Sequence, residues 1–267
     1  MSGTTKKSIG ALTVMMGVFG GVVLLGTGAT AAVAGIHRIG PDSGSLQSEV
    51  RGVESLDLEV SGAEVTVEFR GDASEAELQI DGGSSDGWSL KRDGDELKVR
   101  GPHDGFGWFR PGWLRGDQRV TLVLPDRLSG IDAEFTLQAG ALSVDGTFGE
   151  LDVDVNAGSL SLDASAREFD AELNAGRADI DLRDVQTAEF TVNAGRIVAS
   201  LDTAPSSIAI DVSAGALDLT LPDEQYDVRQ HVSAGSLDSR LQQSSNSSNR
   251  ITATVSAGSV RLHPAGD

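Results

Sequence analysis

Apolar and polar residues alternate strictly over most of the second half of the chain. Phe169, Ala171 and Leu173 alternate with acidic and amide residues, and after Gly176 the alternation resumes in the opposite phase from Ala178 onward. A period of two places successive side chains on opposite faces, which is typical of a β-strand and not of an α-helix. This stretch therefore predicts two short strands joined at a glycine corner.

The same corner recurs seven times between residues 138 and 260, with glycines spaced 18 to 23 residues apart. A period of this length is typical of repeat proteins, in which each unit buries its apolar face only against its neighbours. We therefore predict an all-β fold, a flattened single-chain β-solenoid (β-helix-like) with coils of about 18 to 20 residues. The predicted corner residues are Ala139, Gly140, Ala157, Gly158, Ala175, Gly176, Ala194, Gly195, Ala214, Gly215, Ala234, Gly235, Ala257 and Gly258.

Residues at equal distances from the corners also match, as stacking requires. The positions two before and three after the corner alanine are apolar in all seven copies. We expect the alanine to lie where the two strands converge, so that a larger side chain would overpack the corner at a cost of about 1 to 3 kcal/mol. The adjacent glycine is expected to provide a positive φ or a close approach between coils.

The N-terminal region predicts export. Two lysines, Lys6 and Lys7, precede an uncharged stretch over residues 8–36, which favours an uncleaved transmembrane signal anchor with the N-terminus inside and the repeats outside. The alternative is a cleaved signal peptide, with a small-residue cleavage site at 32–34 and secretion of the rest. The predicted domains are the cytoplasmic tip and anchor (1–38), a polar tether (39–52), irregular N-terminal coils with an aromatic capping loop (53–125) and regular repeats (126–267).

The order of these parts also carries a family resemblance. An SGAEV corner from Ser61, a glycine- and aromatic-rich insertion, a VTLVLP strand from Val120 and the run of Ala-Gly corners follow one another. Over about residues 50–263 the chain resembles the bacterial putative-adhesin β-strand-repeat family of unknown function, also described as toast-rack domains. The resemblance implies a β-repeat domain with membrane anchorage and, in some members, an association with envelope stress. It implies no catalytic residues.

Charge excludes several classes of partner. Beyond residue 38 the chain has 18 basic and 40 acidic residues, so nucleic acid and anionic lipid headgroups are poor partners. The acids occupy predicted outward columns. One column contains Glu134, Asp152, Asp170 and Glu189, the next contains Asp154 and Glu172, and a third on the other strand contains Asp145, Asp163 and Asp181.

Two interpretations of these columns remain open. Divalent cations, Ca²⁺ above all, bind carboxylate oxygens, which makes Asp152, Asp170, Asp154 and Glu172 metal candidates and a Ca²⁺-binding surface solenoid one alternative function. We favour a solvated acidic face that Arg177 and Arg196 partly neutralise, with no metal and no cofactor. A parallel column of asparagines, Asn156, Asn174 and Asn193, is expected to satisfy its own amides.

The loop over residues 101–118 concentrates aromatic and arginine side chains. Such a loop either covers the N-terminal end of the repeats as a cap or contacts a partner or membrane, and we favour the cap. Its residues are Phe106, Trp108, Phe109, Arg110, Trp113 and Arg115. At the other end the last coil, residues 251–262, is expected to leave an open strand edge through which the chain could self-associate.

Nothing in the sequence favours an enzyme. The four histidines are scattered, no nucleophile motif is present, and the absence of cysteine excludes disulfides and thiolate sites. The sequence therefore predicts a non-catalytic, membrane-anchored extracytoplasmic binding or scaffold module, whose partner is an envelope protein or surface ligand. The alternative is a surface adhesin or structural stalk that binds a glycan or another cell.

Overall fold

The computed structural model describes residues 43–82, 85–102 and 118–266, which belong to one compact unit. It is all-β, apart from a 3-10 turn at Asp126–Leu128. The strands are β1 Ser43–Ser48, β2 Ser55–Arg70, β3 Ala76–Asp81, β4 Ser89–Asp93, β5 Glu96–Arg100, β6 Arg119–Pro125, β7 Asp132–Thr147, β8 Glu150–Val155, β9 Gly158–Ser165, β10 Glu168–Leu173, β11 Gly176–Arg183, β12 Thr187–Leu201, β13 Ser207–Leu221, β14 Gln225–Ser239, β15 Gln242–Gln243 and β16 Arg250–Pro264.

Each Ala-Gly repeat contributes one strand segment before its corner, here called the first arm, and one after it, the second arm. First arms pair in parallel with first arms of neighbouring repeats, as in β8, β10 and β12, and second arms pair likewise in β9, β11 and β12. The registers align equivalent residues, so that Leu173 lies beside Val155 and Val192. The predicted columns of equivalent residues are therefore present.

The core lies between the two arms and consists of thin aliphatic layers. The inward residues of both arms are almost completely buried, including Leu173, Ala178 and Ile180. Aromatic rings fill the wider part of the core, where Phe148 contacts Phe69 and Phe135 edge-on with ring centroids 5.7 Å apart. Phenylalanine there supplies the volume that the small residues of the repeats lack.

The N-terminal part extends both arms with irregular strands. Strand β5 pairs with the first arm of β2 and with β4, while β6 pairs with the second arm of β2 and, antiparallel, with β3. The side chain of Trp88 is 6% exposed, and its indole nitrogen donates to Gln118 Oε1 at 3.2 Å. This tryptophan, which the sequence analysis did not single out, covers part of the core at this end.

The predicted polar tether is partly wrong. Residues 43–48 form β1, which pairs antiparallel with β3 in the register Leu46 to Leu78. Without β1, one backbone edge of β3 would be left for another chain to pair with, and this pairing satisfies it. The predicted anchor, residues 8–36, lies outside the described residues. Among the residues that the structure does describe, no helix is long and apolar enough to cross a membrane.

The repeats do not stack in sequence order at the C-terminal end, which corrects our prediction of an open edge at residues 251–262. Strand β16 lies between β13 and β14, paired in parallel with both, so the free edge belongs to β14. The physical reason is the inward face. In β16 the inward positions four before and five after the corner alanine carry Ala253 and Leu262, whereas in β14 they carry Gln230 and Ser239. Polar side chains are costly to bury between two repeats, so β14 takes the end position.

Candidate functional site

The outward surface of the first arms carries the most concentrated charge of the described structure. Nine carboxylates of β7, β8, β10 and β12 form three columns in register, and we call them the acidic face. They are Asp132, Glu134, Glu150, Asp152, Asp154, Glu168, Asp170, Glu172 and Glu189. Parallel pairing holds successive members of a column about 4.8 Å apart, so their mutual spacing is fixed by the backbone.

Two of the three columns were predicted. Asp170 lies beside Asp152 and Glu189, and Glu172 lies beside Asp154, as the repeat alignment requires. The third column, Asp132, Glu150 and Glu168, was missed. All three stand seven residues before a corner alanine, so the same alignment could have found them.

The central carboxyl groups are partly buried by their neighbours. Loss of hydration raises the pKa of Asp152 to about 6, with further contributions from Glu150 and Glu134. Loss of hydration also raises the pKa of Asp170 to about 7, followed by repulsion from Glu189 and Asp152. Both causes favour the neutral acid, so the centre of the acidic face changes its charge near neutral pH.

The second predicted column shows the same behaviour. Burial and then the charge of Glu172 raise the pKa of Asp154, while a hydrogen bond from Asn174 lowers it. Among the described residues, one carboxylate oxygen of Asp154 is buried without a hydrogen-bond partner. A protonated Asp154 loses less hydration energy there than a charged one, which agrees with the raised pKa.

Among the described residues, basic side chains approach the acidic face at its border, where Arg167 Nε lies 3.9 Å from Glu168 Oε1. Arg100 binds Asp57 through both terminal nitrogens, and its Nε lies 3.4 Å from Glu59 Oε2. Asp57 lies beside Glu134 in the pairing of β2 with β7. The predicted neutralisation by Arg177 is wrong, because its guanidinium is bound to Asp179 of its own strand, with Nε to Oδ2 at 2.9 Å. Residues two apart on a strand share a face, which makes this local pair the shorter route.

The remaining predicted acid column is not part of the acidic face and lies on the second arm. Asp145, Asp163 and Asp181 are in register on β7, β9 and β11. Arg183, two residues after Asp181, binds Asp163. This column is exposed and partly paired, so it differs from the acidic face in both hydration and charge.

The asparagine column lies along the border of the acidic face. Asn193 Nδ2 donates to Asn174 Oδ1 at 2.8 Å and to Glu172 Oε1 at 3.1 Å, and Asn174 Nδ2 donates to Asn156 Oδ1 at 3.4 Å. The amides therefore satisfy one another, as expected. They also hold Glu172 in place, which the sequence did not indicate.

The metal candidates Asp152, Asp170, Asp154 and Glu172 lie together on the acidic face, in two neighbouring columns. Across residues 43–82, 85–102 and 118–266, no group of three or more His, Asp or Glu side chains is arranged to hold a metal ion. Their arrangement is a flat array of acids, not a cage of converging oxygens such as Ca²⁺ requires.

Alanine and glycine have different environments at the corners. A Cβ atom on Gly176, whose φ is +130°, would stand 2.0 Å from the Gly158 carbonyl oxygen of the preceding repeat. The glycines therefore allow neighbouring corners to approach closely. The prediction for alanine is wrong, because Ala175 and its equivalents point outward and are exposed, except the half-buried Ala139. The chain turns with the alanine on its convex side, so a larger side chain there meets solvent.

The aromatic loop, with Phe106, Trp108, Phe109, Arg110, Trp113 and Arg115, lies outside the described residues. Its two alternatives, a cap or a contact with a partner or membrane, stay predictions. Of the described residues that flank it, Gly101 lies close to the ring of Trp88 and Gln118 accepts a hydrogen bond from the Trp88 indole nitrogen.

Comparison with known proteins agrees with this architecture of repeats. The family model described as Toastrack DUF4097 matches residues 53–263. The chain belongs to this family. The match begins just before β2 and ends within β16, so it covers both the irregular N-terminal strands of this Toastrack chain and all of its Ala-Gly repeats. No curated protein matches the sequence.

Solved structures similar to this Toastrack chain have little sequence identity with it. A putative cell adhesion protein from Clostridium sporogenes is 12% identical, with 84% of this chain and 100% of that chain covered and a TM-score of 0.37. A putative adhesin from Bacteroides fragilis is 13% identical, with 84% and 98% covered and a TM-score of 0.38. A putative lipid binding protein from Parabacteroides distasonis is 11% identical, with 83% and 97% covered and a TM-score of 0.41.

Proposed function

We propose that this Toastrack chain is a non-catalytic binding or scaffold module. Its repeats form a flattened β-solenoid outside the cytoplasmic membrane, held there by the apolar segment at residues 8–36. The acidic face supports this proposal, because it presents nine carboxylates on a surface whose spacing the backbone sets. A rigid array of like charges recognises an extended partner of opposite charge better than a small molecule.

The partner that fits is a lysine- or arginine-rich segment of an envelope or surface protein. Burial and then repulsion from neighbouring carboxylates raise the pKa values of Asp152 and Asp170 in the free protein, and a cationic partner relieves the repulsion. The hydration of these groups is already partly lost, so a binding partner pays less for removing the rest. Complementary charge at such a surface speeds association and sets specificity more than it adds affinity.

Binding of a ten-residue oligolysine peptide to the full chain, followed by fluorescence anisotropy, tests the proposal. The test variant replaces Glu134, Asp152 and Asp170 by the corresponding amides. The matched control replaces Asp145, Asp163 and Asp181, the acid column of the second arm, by asparagine. We expect the test variant to bind at least about tenfold more weakly, which corresponds to about 1.4 kcal/mol, and the control to change much less.

Equal losses in the two variants would mean that net charge alone attracts the peptide, and the acidic face would then not be a binding site. Raising the salt concentration should weaken the wild-type interaction, since a partly exposed charged surface is screened within about 8 Å at physiological ionic strength.

The location is tested separately. The chain has no cysteine, so a Ser161→Cys variant in intact cells carries a single thiol at an exposed position of β9, away from the acidic face and from β14. A membrane-impermeant maleimide should label it without lysis. Labelling only after lysis would place the repeats inside and would overturn the extracytoplasmic part of the proposal. A role as an adhesin would show as binding to other cells that the acidic-face variant loses.

A further inference from the structure

The free edge of β14 stands out among the strands that the structure describes. Its residues from Arg229 to Ser236 are all exposed, including Val232, the only exposed large apolar side chain of the described residues. Strand β16 pairs with one side of β14, and on the other side β15 covers only Gln225 and Tyr226. About eleven residues of backbone are therefore open to a further strand.

The hydrogen bonds at the start of β14 show which backbone groups point to this edge. Asp227 N donates to Asn249 O on the side of β16, whereas Tyr226 O accepts from Ser244 N on the side of β15. Backbone groups alternate between the two sides of a strand, so the inward residues Val228 and Gln230 direct theirs to the free edge. After the corner the inward residues have odd numbers, and the backbone groups of Leu237 and Ser239 also point to the free edge.

We infer that this edge pairs with the β14 edge of a second copy of the chain, antiparallel, about a twofold axis between Ser233 and Ala234. This axis runs along the bisector of the corner and exchanges the first arm of one copy with the second arm of the other. Inward residues of β14 have even numbers before the corner and odd numbers after it. Exchanging the two arms therefore places the inward residues of one copy opposite the inward residues of the other. Gln230 then lies opposite Leu237, and Val228 lies opposite Ser239, as hydrogen-bonded pairs.

The charges on the outward face are complementary in this register. Arg229, whose guanidinium binds Asp227 within its own copy, lies opposite Asp238 of the second copy, twice by symmetry, in a non-hydrogen-bonded pair where side chains come closest. Within one copy, Asp218, Arg261 and Asp238 are neighbours on β13, β16 and β14, so the column alternates in sign. Arg229 of the second copy continues that alternation.

The end of β14 limits the length of this ladder. Strand β14 ends at Ser239, opposite Val228, so the second copy leaves the ladder before it reaches β15. Pairing covers Val232 and the partly buried Leu237, which otherwise leave the end of the core open. The inward Gln230 and Ser239, which are costly to bury between two aliphatic repeats, here face the inward side of another β14, which carries the same polar residues.

The twofold axis joins two stacks end to end, with their β1 strands at opposite ends. The contact itself involves no residue of the acidic face. Its failure and the failure of the proposed function are therefore distinguishable.

Disulfide trapping tests the register directly, since the chain has no cysteine of its own. Full-length Arg229→Cys and Asp238→Cys chains are purified separately in mild detergent, then oxidised alone and as a mixture. A non-hydrogen-bonded pair has Cα atoms about 4.5 Å apart, within the range that a disulfide spans. We expect linked dimers in the mixture and none in either variant alone, because identical positions lie at opposite ends of the ladder.

Absence of linked dimers in the mixture, or equal amounts in the separate samples, would overturn the inference. If a strand of another protein pairs with the free edge of β14 instead, no linked dimer forms, and the inference is overturned in this case too.

Charge exchange provides an independent measurement by sedimentation equilibrium. Arg229→Glu and Asp238→Arg each place like charges opposite one another in a homodimer, and each should weaken self-association about tenfold. A mixture of the two variants restores both opposite-charge pairs and should return to within about twofold of wild type. Melting curves of each variant check that it is folded. A mixture no stronger than its components would overturn the proposed register.

Discussion

Asp170 lies directly beside Asp152 on the neighbouring parallel strand, both carboxyl groups have raised pKa values, and the charge of Asp152 contributes to the shift of Asp170. Burial is the larger cause in both cases, because the adjacent strands restrict access of water to the column. The fold thus places two groups of like charge in register although this arrangement disfavours their charged forms. Function is a reason to keep such a pair where stability alone would not.

Stability should depend on pH with a definite sign. The pKa values of Asp152 and Asp170 are raised from 3.8 to about 6 and about 7, so the folded protein prefers the neutral acids. Their contribution is fully present below the unfolded value and is lost as the pH rises through 6 to 7. We expect the melting temperature of the full chain to fall between about pH 5 and about pH 8 at constant ionic strength, as measured by circular dichroism. A melting temperature that rises over this range would contradict the assignment.

Removing one of the two charges should stabilise the protein. In Asp170→Asn an amide of similar size replaces the carboxylate, and we expect about 1 to 2 kcal/mol of added stability near pH 8, after allowance for solvent screening of this partly exposed group. The gain should vanish near pH 4, where the wild-type residue is protonated. Urea denaturation at both pH values measures it. Asp145→Asn, an exposed acid of the second arm, is the matched control and should change stability by less than about 0.5 kcal/mol.

The corner glycine should tolerate far less than the alanine beside it. In Gly176→Ala the new Cβ meets the Gly158 carbonyl oxygen at 2.0 Å in a backbone conformation of positive φ, so we expect a loss of about 2 to 4 kcal/mol. Ala175→Leu points an added side chain into solvent and should cost less than about 0.5 kcal/mol. Chemical denaturation of both variants gives the comparison. Similar losses would show that the corner packs more tightly around the alanine than its exposure indicates.

The alternating pattern was sufficient to predict the strands of the Ala-Gly repeats, their alignment in columns and two of the three columns of the acidic face. These are local properties, because a period of two and a repeat alignment determine which residues share a face. The acid that Arg177 binds was not predictable from the alternation or the repeat alignment. A basic residue can bind any acid within reach, and only the structure shows that Asp179 is nearer than the columns.

The order of the last two repeats shows a different limit. Both have the Ala-Gly corner and both keep apolar residues next to it, so corner spacing alone places β16 last. Gln230 and Ser239, at inward positions further from the corner, disfavour a place for β14 between two aliphatic repeats of the same chain. The loop over residues 240–249 allows the chain to return between β13 and β14, a non-local choice that no single repeat specifies.

This inserted order predicts an unusual response to truncation. Removing the last repeat of a sequential stack leaves the others paired, whereas a chain ending at residue 249 lacks β16, the strand with which β14 pairs from Asp227 to Ser239. We expect β14 to lose its protection in hydrogen exchange measured by mass spectrometry, while β8 to β12 remain protected. A chain ending at residue 264 is the matched control, since it keeps β16 and removes only the final turn. If β14 remained protected in the shorter chain, it would have to pair directly with β13. The sequential order of the last two repeats and the inserted order would then be nearly equal in energy.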